Sequence, residues 1–220
     1  MKLRRFSCLV AALAILAGCD TNLYGDSQLA EAVEQIRASR AQAAARDAGA
    51  PQGPVVTPQM LAGFDDPLIT AEIPRYGTTG LLGIAETNGA YTTWLTPDRI
   101  AVVARDGVVT ATRGLVGDLA SARVPDIRTV RGQATRDHFY YGPDQRSVRE
   151  RFFCNIATDG NETVEIVGRS YATTRIREEC NSDDTTFTNL YWIDDTGKIR
   201  MSRQWISNFV SYIQIEAVNR

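Results

Sequence analysis

The chain has 220 residues, of which 24 are lysine or arginine and 26 are aspartate or glutamate, so its formal net charge is −2. This mildly acidic balance gives no electrostatic reason to expect a nucleic-acid partner. A single histidine, His138, excludes metal sites that need several histidines, and the length suits one hydrophobic core or two small ones.

Residues 1–18 have the layout of a secretory leader. Three basic residues in Met1–Arg5 precede the largely apolar Phe6–Leu16, and Leu16–Cys19 places two small residues before a cysteine. The apolar stretch is too short to span a hydrocarbon core of ~30 Å comfortably. The sequence therefore predicts a signal peptide that is cleaved before Cys19.

Cys19 ends a pattern similar to the lipobox of bacterial lipoproteins, which marks the cysteine for lipidation. Each buried methylene contributes roughly 0.8 kcal/mol, so two or three acyl chains hold a protein firmly at a membrane. We therefore expect residues 19–26 to be a lipidated tether to the cell envelope, facing the periplasm at the outer membrane. Asp20, which retains some lipoproteins at the inner membrane, leaves that membrane as an alternative. An ordinary leader followed by a chance cysteine is the other alternative.

Two segments follow the tether. Residues 27–49 are rich in Ala, Glu, Gln and Arg, and their apolar residues recur at helical spacing, which predicts an N-terminal helix. Residues 50–59 contain three prolines and a glycine, which predicts a linker. The folded domain is then expected over residues 60–220.

Short strands and turn signals fill the predicted domain. Leu68–Ile73 is the first predicted strand and Phe209–Val218 the last. Between them, strands are predicted in pairs that flank four turn signals: Asn88-Gly89, Asp106-Gly107, Asp159-Gly160 and Asp194–Gly197. Four hairpins predict a mainly β fold, an antiparallel meander curled into a partly open barrel. A sandwich of two packed sheets is the alternative.

Cys154 and Cys180 are the two cysteines of the predicted domain. In an oxidising compartment such a pair is most simply a disulfide. Here it would tie the third predicted hairpin to the connection that follows it. A thiol nucleophile or a redox pair is the alternative, although no Cys-x-x-Cys spacing supports it.

The sequence offers little catalytic chemistry. It contains no glycine-rich phosphate loop, Gly-x-Ser-x-Gly elbow or zinc signature. His138 lies in an aromatic stretch typical of a strand, so we interpret it as structural. Adjacent carboxylates such as Asp194-Asp195 fall at turns, where solvated aspartate is expected. The sequence therefore predicts a non-enzymatic protein with no catalytic residue, no cofactor and no metal.

A cluster of aromatic and polar residues lies on the two strands that flank the last predicted turn. Aromatic rings beside amide and guanidinium groups can stack on sugars and bind hydroxyls, which makes the cluster a candidate glycan or partner surface. The alternative is that these residues form core and cross-strand pairs. The cluster comprises Asn189, Tyr191, Trp192, Ser202, Arg203, Gln204 and Trp205.

The same strands carry a family resemblance. Asn189–Trp192, followed by Gly197 and Ser202–Trp205, together with Asp66–Ile69 and the lipobox, resemble the YjbF-type group 4 capsule polysaccharide lipoproteins. The resemblance covers about residues 60–218. It implies a largely antiparallel β structure like a half-open barrel and carries over no catalytic residues.

The resemblance also implies a function: a non-catalytic accessory factor in export or assembly of capsule or exopolysaccharide. The expected partners are the membrane, through the N-terminal lipid, and then polysaccharide and envelope export proteins. A periplasmic carrier of lipids or lipoproteins, with a half-open barrel, is the first alternative. An enzyme that modifies polysaccharide is the second, and it would need two carboxylates facing each other across a cleft.

Overall fold

A computed structural model describes residues 56–219 except 143 and 145. The predicted signal peptide, Cys19, the tether and the N-terminal helix therefore lie outside the described residues. Within them, the chain begins with a short helix α1 (Pro58–Leu61), whose first turn is capped by the Thr57 hydroxyl. This helix starts inside the segment predicted to be a linker. None of the helices in the described part has the length and apolarity needed to cross a bilayer.

Strands make up most of the described chain, and a 3₁₀ turn at Pro74–Tyr76 follows the first of them. The twelve strands of the described residues are β1 Leu68–Ile73, β2 Thr78–Asn88, β3 Tyr91–Leu95, β4 Ala101–Arg105, β5 Val108–Arg113, β6 Ser121–Arg123, β7 Gly132–Tyr141, β8 Ser147–Ile166, β9 Arg169–Asn181, β10 Thr186–Asp194, β11 Ile199–Ser207 and β12 Ser211–Ala217.

All twelve strands form one antiparallel sheet that curls into a nearly closed barrel. The order is β5-β4-β3-β2-β1-β12-β11-β10-β9-β8-β7-β6, so the first and last strands pair and the ends of the sheet are β5 and β6. At that seam, Thr112 N–H donates to the Leu119 carbonyl at 2.9 Å. The Arg113 guanidinium donates to the carbonyls of Leu119 and Ala120. The predicted mainly β antiparallel barrel is confirmed.

Three of the four predicted hairpins are confirmed. Asp106 and Gly107 both have positive φ in the β4–β5 turn, the backbone that a two-residue hairpin favours. The β10–β11 turn follows Asp194, which accepts hydrogen bonds from the backbone N–H groups of Thr196 and Lys198. The β2–β3 turn lies one residue later than predicted, because Asn88 already pairs with Tyr91.

The hairpin predicted at Asp159-Gly160 is wrong. β8 continues through this dipeptide to Ile166, and the pairing with β9 shifts between Thr158 and Asn161. Gly160 has φ +108°, a conformation that favours glycine and serves a β-bulge as readily as a turn. The chain instead reverses at Val167-Gly168, where both residues have positive φ.

Beyond the bulge, the β8–β9 hairpin packs against the outside of the barrel. There, Val164 and Ile166 are buried against the outer face of the sheet, where they pack with Leu68, Leu81 and residues that include Trp192. The far part of the hairpin thus covers a patch of barrel wall.

Cys154 and Cys180 form the predicted disulfide. They lie directly opposite each other on β8 and β9, so the bond joins the two strands of one hairpin. The expectation that it ties a hairpin to a later connection is therefore wrong, for the same reason that the turn was misplaced. Both cysteines are buried with Phe152 and Phe187 on the inner face of the barrel.

The middle of the barrel is filled by side chains. Gln204 of β11 crosses it: its amide oxygen accepts from Val109 N–H at 2.8 Å, and its amide nitrogen donates to the Gly107 carbonyl at 3.0 Å. β5 and β11 stand opposite each other in the sheet order, so Gln204 ties two opposing walls together. Ile127, from the segment between β6 and β7, is fully buried beside Val108 and adds to this packing.

Candidate functional site

Two residues of the C-terminal cluster, Asn189 and Tyr191, lie inside the barrel in a buried charged network. The Glu178 carboxylate accepts from Asn189 Nδ2 at 2.8 Å, from Tyr191 Oη at 2.9 Å and from Arg136 at 3.2 Å. All four side chains are about 99% buried or more. Burial opposes the charge of Arg136, but Glu178 holds the Arg136 pKa above its ordinary value. Burial and the Glu178 charge also raise the pKa of Tyr191, so this phenol stays protonated.

His138 extends the network as a neutral side chain. Tyr140 Oη donates to the Ile206 carbonyl at 2.8 Å, so His138 Nδ1–H donates to Tyr140 and its Nε2 faces Arg136 at 3.4 Å. Burial lowers the His138 pKa well below its ordinary value, and the positive charge of Arg136 lowers it further, against a smaller opposing effect of Asp137. The arrangement supports the structural role predicted for His138.

This neutral histidine predicts a pH dependence of stability. In the unfolded chain His138 binds a proton near pH 6.5, whereas the folded chain keeps it neutral, so acid favours unfolding. The contribution of neutral His138 to the free energy of unfolding is therefore fully present above pH 6.5. Below that pH it falls by up to about 1.4 kcal/mol per pH unit. Urea unfolding at pH 7.0, 6.0 and 5.0 should show this slope.

The His138→Gln variant is the control, because all other titrating groups remain the same in both proteins. Between pH 5 and 6.5 its free energy of unfolding should depend less steeply on pH than that of the wild type. An equal slope in the two proteins would contradict the assignment.

The other residues of the cluster are divided between the two faces of the sheet. Ser202 is buried beside Gln204, whose amide nitrogen donates to the Ser202 hydroxyl at 2.9 Å. Trp192 points to the outer face but is covered there by the β8–β9 hairpin, and its indole N–H donates to Glu162 at 2.9 Å. Arg203 and Trp205 alone remain half-buried. The structure therefore confirms the two facing strands but does not bring the seven residues onto one surface.

Trp205 occupies a split between β10 and β11. The backbone pairing of these strands ends at Leu190 and Arg203. Beyond that pair, hydrogen bonds from side chains take the place of backbone hydrogen bonds. Asn189 Oδ1 accepts from Trp205 N–H at 2.7 Å, and Tyr212 Oη accepts from Thr188 N–H at 3.1 Å.

Aromatic rings fill this split. Trp205 stacks on Phe187 with ring centres 5.7 Å apart and meets Tyr212 edge to face at 5.3 Å. The Arg203 guanidinium lies 3.5 Å over the Tyr212 ring, a cation–π contact that holds its charge at the surface.

The aromatic split borders an open cleft, which we name the Trp205 cleft. Its volume is about 400 Å³, and its wall combines exposed or half-buried rings with carboxylate, hydroxyl and amide groups. This is the mixture of surfaces that sugar rings and hydroxyls require. Its lining residues are Gly117, Asp118, Tyr140, Tyr141, Glu150, Trp205, Ser207, Asn208 and Phe209.

The sequence singled out only Trp205 among these lining residues. Tyr141 and Phe209 are 67% and 62% exposed, so their rings are free to contact a ligand. A large aromatic residue at a strand end or in a turn is the one signal that could have pointed to them, since Tyr141 ends β7 and Phe209 lies between β11 and β12. Nothing in the spacing of Glu150 or Asp118 pointed to this cleft, since they come from two distant parts of the chain.

The carboxylates of the cleft have structural partners. Asp118 accepts from the Thr112 hydroxyl at 2.7 Å and from the backbone N–H groups of Gly114 and Leu115, which fixes its turn. Glu150 accepts from the Ser182 hydroxyl at 2.8 Å. These contacts hold both groups in place and leave the cleft suited to binding.

One group of possible metal ligands occurs among the described residues. Ligand atoms of Cys154, Glu178 and Cys180 all lie within 4.8 Å of one another. The two sulfurs are joined in the disulfide, so they offer no thiolate to a metal. The arrangement is therefore a buried cystine beside an ion pair.

Comparison with known proteins agrees with this fold. The family model described as group 4 capsule polysaccharide lipoprotein gfcB, YjbF, matches residues 27–218. Among solved structures, the hypothetical lipoprotein YmcC from Escherichia coli (K12) is similar with a TM-score of 0.66 and 19% identity, covering 75% of this chain and 89% of that chain. That likeness shows a shared fold. No curated protein matches the sequence.

Proposed function

We propose a function from one premise: the chain belongs to the YjbF family of group 4 capsule polysaccharide lipoproteins. It acts as a lipid-anchored, non-catalytic accessory factor in export or assembly of capsule or exopolysaccharide. Lipid on Cys19 holds it at the cell envelope, facing the periplasm at the outer membrane. The family match over residues 27–218 is the observation that carries this proposal.

The polar interior supports a role in binding over one in catalysis. Inside the barrel, the side chains of Glu178 and Gln204 form hydrogen bonds that join different strands. Such bonds are what a rigid scaffold requires. In the Trp205 cleft, Asp118 is held by its own turn. A polysaccharide-modifying enzyme would need two free carboxylates across a cleft.

The Trp205 cleft is the surface that we assign to polysaccharide or to an envelope export protein. Trp205 and Tyr141 offer ring faces, and Glu150 offers an acceptor beside them. The half-buried Arg203 adds a guanidinium on the neighbouring outer face. The interior across the middle of the barrel is filled, which argues against the alternative of a carrier that encloses a whole lipid or lipoprotein.

A deletion strain tests the proposal. Under conditions in which the polysaccharide is made, deletion should reduce its amount at the cell surface, and the wild-type chain should restore it. The Tyr141→Ala chain should restore it incompletely at equal protein level, because an exposed ring face of the cleft is lost. Surface polysaccharide is measured by immunoblot and by sugar analysis.

Phe153→Ala is the matched control, because Phe153 is an equally exposed ring, at 61%, outside the Trp205 cleft. It should restore polysaccharide fully. Unchanged surface polysaccharide in the deletion strain would overturn the proposed function. A Tyr141→Ala chain that behaves like Phe153→Ala would overturn the cleft assignment alone.

A further inference from the structure

A second cavity, distinct from the Trp205 cleft, lies inside one end of the barrel. Its volume is about 330 Å³, and it opens between the 3₁₀ turn and the loops that follow β3 and β5. Inward-facing side chains of β1, β2, β4 and β12 form its wall, together with residues of the neighbouring loops. Six of these are Ala71, Ile73, Leu82, Val102, Leu115 and Ile213.

The charges of this cavity are confined to its mouth. Asp98 is the only charged residue among the described residues that line it, and Asp98 is exposed. The Thr96 hydroxyl, on the wall, is engaged by Ile100, whose N–H donates to it at 2.9 Å. The buried residues Val109 and Ile206 belong to the same apolar cluster as the cavity wall. A sugar or a charged group would lose its hydration inside without gaining partners.

Exposed apolar residues surround the opening. Tyr76 and Val116 line it and are 53% and 75% exposed. Phe209, 62% exposed, joins them, because Tyr76 Oη donates to the Phe209 carbonyl at 2.7 Å and Gly117 lies against the Phe209 ring. Exposed apolar side chains at the mouth of an apolar cavity mark a surface that meets an apolar partner.

We propose that this cavity binds a single unbranched hydrocarbon chain of a lipid, with the rim of Tyr76, Val116 and Phe209 resting on the rest of the lipid. The volume of about 330 Å³ admits one flexible chain and excludes a whole lipid. A chain that enters buries methylene groups against an apolar wall and leaves its polar head at the mouth. This inference does not rest on the polysaccharide proposal, although Phe209 lies beside both openings.

Unbranched alkan-1-ols provide the probe. The mature chain is made without lipid, through Cys19→Ser and removal of residues 1–18, and its bound 1-N-phenylnaphthylamine is displaced by alcohols of increasing length. The dissociation constant should fall about fourfold per added methylene until the cavity is full, and then level off. Failure of every alcohol to bind would overturn the proposal.

Two substitutions connect this series to the cavity. Ala71→Leu should move the plateau to shorter alcohols, because Ala71 faces Gly80 across β1 and β2 and a larger side chain enters the cavity. Leu115→Ala, which enlarges the cavity, should move the plateau to longer alcohols. A destabilised variant would weaken all alcohols equally, so the direction of the length shift separates binding from folding.

Ala217→Leu is the matched control. Ala217 lies on β12, which pairs with β1, but it lines the cavity of about 320 Å³ at the opposite end of the barrel. Its plateau should equal that of the wild type, and a shift like that of Ala71→Leu would overturn the assignment to this cavity. The lipidated chain identifies the source of the lipid: loss of probe binding there means that the protein's own acyl chain occupies the cavity, and unchanged binding means a separate lipid.

Discussion

Glu178→Ala should lower the free energy of unfolding by about 3 to 5 kcal/mol, the cost of breaking a buried ion pair from one side. Arg136, which is 1% exposed, would keep its charge without its carboxylate partner. Asn189 and Tyr191 would each lose an acceptor in the same place. Urea unfolding followed by tryptophan fluorescence measures the change.

The adjacent Glu179 provides the control. It points to the outer face and pairs there with Arg177 at 2.7 Å, with both side chains more than 40% exposed. Because exposed pairs contribute little, Glu179→Ala should change stability by less than about 1 kcal/mol. The double variant Arg136→Leu/Glu178→Leu should recover most of the loss, since it removes both buried charges. Equal effects of the two single glutamate variants would contradict the buried network.

The second large effect concerns the disulfide. Replacing both Cys154 and Cys180 by alanine should cost about 3 kcal/mol, because a bond across 26 residues restricts the unfolded chain. The cost arises even though β8 and β9 pair on both sides of the bond, since the restriction acts before the strands form. The midpoint of urea unfolding, measured with and without dithiothreitol, checks it.

Dithiothreitol distinguishes the effect of losing the disulfide from the effect of replacing the cysteine side chains. Dithiothreitol should lower the midpoint of the wild-type chain and leave the Cys154→Ala/Cys180→Ala chain unchanged. Two free thiols in the oxidised wild-type protein, detected by alkylation and mass spectrometry, would contradict the pairing.

Local sequence signals predicted a hairpin correctly where the turn dipeptide fits a two-residue turn and few other structures. Asp106-Gly107 takes positive φ at both positions, and few other arrangements ask for this. At Asp159-Gly160 the same signal served a bulge, since Gly160 supplies positive φ to either structure. The true turn uses Val167, a β-branched residue at φ +49°, which no propensity argument selects.

The C-terminal cluster shows what a single strand cannot reveal. Asn189 and Tyr191 alternate with Leu190 and Trp192, which by itself predicts a polar face turned to solvent. The structure turns that face inward, because Glu178 and Arg136 supply its partners from β9 and β7. The apolar face is then buried under the β8–β9 hairpin, whose course depended on the unpredicted bulge.

The pairing of β1 with β12 has a consequence for folding. Ile69 pairs with Ala217, and the Asn219 side chain bonds to Leu68 and Asp66. β1 pairs early with β2, but it finds its second partner only when β12, the last strand, has been synthesised. Contacts between such distant parts of a chain slow folding, because a long loop must close first. A barrel of this topology cannot close between β1 and β12 until β12 is available, which suits a protein predicted to be threaded across a membrane before it folds.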